Sequence, residues 1–164
     1  MTKDSTMNAE KYSNEEEYST VYIHNGEQPI DAVTNLIELL SNNENKENRI
    51  EVLKILKAEL GIELLIETIA APVAEAIKAT LISACWEANI DCSKQFLFFV
   101  ELALADNYLV AMEAITVIEN ITGIIDKKEL EDARKKVKKK LEDMEVADKK
   151  RILIADLVTI LEGL

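Results

Sequence analysis

Apolar positions recur along this chain at offsets of 29 and then 33 residues. Val52, Leu53, Ile55 and Leu56 align with Leu81, Ile82, Ala84 and Cys85, and those with Ala114, Ile115, Val117 and Ile118. One helix earlier, the same offsets carry Leu36, Ile37 and Leu40 onto Leu65, Ile66 and Ile69, then onto Phe98, Phe99 and Leu102. Spacings of one, three and four residues mark one face of a helix. A two-helix unit of about 30 residues cannot bury that face alone, so it must stack on its neighbours. The repeat therefore predicts an all-α fold, a right-handed α-solenoid of about four helical hairpins.

Composition agrees. Four Gly and 2 Pro in 164 residues leave little turn chemistry for a sheet, while 48% apolar residues suffice for one sizeable core. No uninterrupted apolar run approaches the ~18 residues of a membrane span. Met1-Thr2-Lys3-Asp4 opens no secretory signal, so the default expectation is cytoplasmic, with no membrane partner.

Residues 1–28 are polar and acidic, lack helical periodicity and carry the run Glu15-Glu16-Glu17. They are expected to form a disordered tail. Within it, Tyr18 to Ile23 alternates apolar and polar residues, a pattern also suited to a short strand or a docked peptide. Residues 29–164 form the helical-repeat domain. Its first pair is expected over 30–42 and 46–60, closed by Gly61. The second covers 62–70 and 72–89, with Pro72 in a first helical turn. The third covers 92–105 and 107–122, closed by Gly123. Asp91 or Ser93 caps its first helix, and Asp106 or Asn107 its second. The last pair, within 126–164, is the terminal cap. Asp126 and Glu129 have capping-box spacing at the head of a helix over 126–144, with a narrow stripe of Leu130, Ala133, Val137, Leu141 and Met144. The final helix, 148–162, starts at Asp148 and carries Ile152, Ile154, Leu157, Val158 and Leu161.

The net charge of −12 is unevenly placed. Residues 62–125 carry 2 basic and 9 acidic side chains, whereas 126–164 carry 11 basic and 10 acidic. An acidic body disfavours nucleic acid, which needs a positive groove, and favours a basic protein or peptide partner. The run Arg134-Lys135-Lys136-Val137-Lys138-Lys139-Lys140 is flanked by Glu129, Glu131, Asp132, Glu142 and Asp143. Mixed charges three and four apart read as a solvated helix. The same run could instead meet the acidic body of a second copy, giving a homo-oligomer.

The chain offers little to catalysis. Its one histidine, His24, lies in the tail, far from the rigid pairing a nucleophile needs. There is no Cys/His cluster for a metal, no Gly-rich phosphate loop, and hence no expected cofactor or metal. Cys85 and Cys92 are too few for a disulfide framework and read as reduced filler, Cys92 in a helix's first turn. Phe98 and Phe99, with Phe96 and Tyr108, read as core between the second and third pairs.

The second helices resemble those of HEAT-type repeats. That family's second helix begins with Asp or Asn near its cap, followed by a Val-Arg dipeptide and then Ala and Leu at helical spacing. The dipeptide site here reads Asn48-Arg49, Ile77-Lys78 and Val110-Ala111. Asp106, Asn107, Val110 and Ala114 match in the third repeat, and Ala79 and Leu81 stand near the same place in the second. The basic residue is missing from the third repeat and the capping Asp from the first two, so armadillo-like and other hairpin repeats stay open. Over residues 30–122 the resemblance implies a curved protein-binding surface in a family that more often scaffolds than catalyses.

The repeat offsets also define rows that face away from the core. They are Glu51, Thr80 and Glu113; Lys54, Ser83 and Thr116; and Lys57, Trp86 and Glu119. Stacked helices would join these rows into one strip, with Trp86 as its anchor. Packing of Trp86 between helix ends is the bland alternative. The expected function is a non-catalytic interaction module that holds a protein or peptide on its second-helix face. Three alternatives are an acidic inhibitor or immunity-type protein of a basic target, a HEAT-like nucleic-acid-binding enzyme, and a closed bundle with a ligand cavity.

Overall fold

The computed structural model describes residues 59–164 except Asp106, Val146 and Ala147. The expected tail, the first helix pair up to residue 58, His24, Glu51, Lys54, Lys57 and the Asp106 cap lie outside the described residues. Every regular element among those described is helical. The order is α1 (Glu59–Ala70), α2 (Glu75–Glu87), a 3₁₀ turn (Ser93–Gln95), α3 (Phe96–Ala105), α4 (Tyr108–Glu119), α5 (Lys127–Asp143) and α6 (Lys150–Gly163). No described helix is long and apolar enough to cross a membrane.

Apolar rows dictate the packing. Leu81, Ile82, Ala84 and Cys85 of α2 are buried, as are Ala114, Ile115, Val117 and Ile118 of α4. These two helices lie against each other, and α4 in turn contacts α3 and α6. Helix α3 rests on α5, α5 on α6, and α1 on α2. Phe96 and Phe99 are fully buried in one continuous core that also holds Leu65 and Ile69. The Phe98 ring meets Phe99 edge-on at 5.4 Å, an arrangement that aromatic quadrupoles favour. The α5 stripe buries Leu130, Ala133 and Val137, with Leu141 and Met144 half-buried at its end.

Sequence chemistry sets several helix ends as expected. Asn107 caps α4 by accepting from the Val110 N–H at 2.9 Å. Asp126 caps α5 by accepting from the Lys128 and Glu129 N–H groups. Asp148 accepts from the Lys150 N–H at the head of α6.

Other boundaries differ. Gly61 does not close a helix but lies inside α1, where a long apolar face outweighs the ~1 kcal/mol propensity cost of glycine. Pro72 does not open α2. It sits in the bend after α1, because its ring drives the preceding residue away from helical geometry, and α2 starts only at Glu75 after extended Ala74. Cys92 precedes a 3₁₀ turn rather than standing in a first α-helical turn, although it is buried. Helix α4 ends at Glu119, four residues before Gly123. Tyr108 is 49% exposed and Ile152 is 70% exposed, so neither belongs to the core. Each stands in the first three residues of its helix, where the apolar stripe has yet to meet a neighbour.

Candidate docking face

The placement of Trp86 begins with the end of α2. Asn89 adopts φ 53°, the left-handed conformation that terminates a helix. The Ile90 N–H then donates to the Cys85 carbonyl at 2.9 Å, and the Asn89 N–H to the Trp86 carbonyl at 3.0 Å. This is a Schellman motif with Asn at the position glycine usually takes, sealed by two buried side chains, Ile90 and Cys85. The cap fixes the last turn of α2 and with it the direction in which Trp86 projects.

Trp86 is 37% exposed, and its Nε1–H donates to Glu113 Oε2 of α4 at 2.9 Å. Two residues of the expected strip are thus joined across neighbouring second helices. The pairing runs diagonally: repeat offsets align Trp86 with Glu119, whereas its partner lies six residues earlier. Side chains on a helix lean toward its N-terminus, and a long indole reaches past its own row.

The remaining described candidates lie on the same two helices as this pair. Thr80, Ser83 and Thr116 are half-buried and Glu119 is exposed. The Thr80 hydroxyl donates to the Ala76 carbonyl, Ser83 to Thr80, and Thr116 to Met112, each within its own helix. Their protons are committed, which leaves the oxygens as acceptors.

Sequence spacing missed the tie behind the face. Asp91, just beyond the α2 cap, accepts from the Ser93 N–H and hydroxyl and from the Gly123 N–H. Burial draws its carboxyl upward, but these bonds and one from Thr122 outweigh it and hold the pKa below the usual value. A Cβ on Gly123 would fall within contact distance of the Asp91 carboxylate and Ser93 hydroxyl, so glycine permits the approach. The loop after α2 is thereby fastened to the loop after α4.

Beneath the face, Cys85 and Cys92 are both buried and reduced. The hydrogen bond with Cys92, reinforced by burial, pushes the Cys85 thiol well above its ordinary pKa, which disfavours the nucleophilic thiolate.

Basic side chains of α5 and α6 serve a different purpose. Arg134 Nε donates to the Leu161 carbonyl in the last turn of α6 at 2.8 Å, and Lys150 Nζ to the Leu104 carbonyl in the last turn of α3 at 3.0 Å. Arg151 Nη1 donates to the Leu141 carbonyl and, at 3.0 Å, to the Met144 carbonyl. Three helix C-termini thus receive cations where their carbonyls lack partners. Lys136 pairs with Glu101, and Lys138 with Glu162 at 2.7 Å. A shallow depression of about 300 Å³ lies between α3 and α5, lined by Leu104, Ala105, Lys136, Lys139, Lys140 and Asp143.

No group of three or more metal-ligating side chains occurs among the described residues. Compared with known proteins, the chain matches no family model, no curated protein and no solved structure.

Proposed function

We propose that this protein is a non-catalytic interaction module, built as a right-handed α-solenoid of HEAT-like hairpins, which holds a protein or peptide against its second helices. Successive contacts of α2 with α4 and α4 with α6 support that architecture, with α3 and α5 forming the other layer. The observation that carries the function is the Trp86–Glu113 hydrogen bond. It orders a large, solvent-facing aromatic on the face shared by two helices, and tryptophan is enriched among residues that dominate binding energy. Acidic surroundings select a basic partner and quicken its arrival.

Quantitative affinity purification tests this reading with wild type, Trp86→Ala and an exposed control, Ile152→Ala. Truncating the anchor should remove at least one partner that both other proteins retain. An unchanged partner set would contradict it. The rival reading, an inhibitor of one basic target, draws on the same acidic body. It would yield a single partner whose affinity falls steeply with salt.

A further inference from the structure

We propose that Trp86 and Glu113 together form a receptor for an arginine side chain of the partner, an assignment that rests on the docking face above and names the chemistry it takes. The indole's one polar atom is already spent on Glu113 Oε2, so its open surface is ring carbon. The carboxylate retains acceptor capacity, since two ionised oxygens offer about four lone-pair sites. A ring held beside a carboxylate suits guanidinium, whose plane stacks on the aromatic while its N–H groups reach the oxygens. An ammonium supplies the charge but neither the plane nor the fork.

The flanking groups make the same selection. Thr80, Ser83 and Thr116 donate their hydroxyl protons to carbonyls of their own helices, which leaves their oxygens as acceptors. Hydroxyls left as acceptors match a side chain that has five N–H donors and no acceptor. Residues 62–125 carry 2 basic and 9 acidic side chains, a field that attracts a cationic segment and repels a phosphorylated one.

The test uses the full chain and three short Gly/Ser peptides, identical except that they carry spaced arginine, lysine or citrulline. Binding is read by calorimetry and by emission of Trp86, the only tryptophan. The arginine peptide should shift the emission and bind about fivefold or more tightly than the lysine peptide, with citrulline weakest. Glu113→Gln keeps an oxygen for the indole N–H but removes the charge, and it should abolish the preference for arginine. Trp86→Phe should retain part of the affinity and Trp86→Ala none of the preference. Equal affinity for the arginine and lysine peptides, with unchanged emission, would reduce the effect to diffuse attraction and overturn the assignment. If Trp86→Ala still strips a partner in purification while the arginine peptide fails to bind, the docking face stands and the arginine receptor is wrong. If the partner set survives Trp86→Ala, both fall.

Discussion

Helices α2 and α4 carry broad apolar rows inward and few charges outward, whereas α5 carries a three-residue buried stripe under a coat of lysines and carboxylates. The two regions use the same backbone for different tasks. In the first, polar groups fasten one helix pair to the next: Trp86 to Glu113, and Asp91 to Gly123. In the second, cations close helix ends, with Arg134 on Leu161 and Arg151 on Met144. A charge run that looks like a ligand surface in sequence is thus partly consumed in finishing the fold. The face of α2 and α4 is the one that keeps a hydrogen-bonded tryptophan in solvent.

If the regions differ as described, unfolding measurements should separate them. Phe99→Ala empties a fully buried site shared by the layers and should cost about 3–5 kcal/mol in urea titrations. Leu130→Ala, on the narrow α5 stripe and 9% exposed, should lie near the low end of its class, about 2 kcal/mol. Equal losses would remove the distinction between the two regions. Gly123→Ala should follow at about 1–3 kcal/mol, because its methyl group must displace the Asp91 carboxylate and break the tie between loops. A neutral result would mean the tie contributes nothing. Asn89→Gly should stabilise by about 0.5 kcal/mol, since glycine adopts the left-handed cap without the Cβ penalty. Lys138→Ala should change stability least, with no resolvable shift in the urea midpoint, because its bridge to Glu162 is exposed on both sides and screened by solvent. A larger loss would show that the charged coat of α5 carries more of the fold than its solvation suggests.

Local chemistry made much of this legible. The buried rows of α2 and α4 follow from helical spacing alone, and the caps at Asn107 and Asp126 from a short polar side chain before a helix. Gly61 and Pro72 misled because each has two local meanings, and neighbours choose between them. Tyr108 and Ile152 match an apolar pattern, yet whether a first turn meets another helix depends on the packing. The Asn89 cap carried a faint signal, an Asn between a helical run and a buried Ile. The Asp91–Gly123 tie spans 32 residues and the Arg134–Leu161 bond 27, so neither had a local signal. Rows kept Trp86 and Glu113 off the buried face, but only side-chain reach explains why Trp86 meets Glu113 instead of Glu119.

Hydrogen–deuterium exchange of the full chain, with and without a captured partner, shows which helices the partner covers. New protection should concentrate in the exposed turns of α2 and α4 around Trp86 and Glu113, with α5 unchanged. Protection centred on α5, with α2 and α4 exchanging as before, would contradict it.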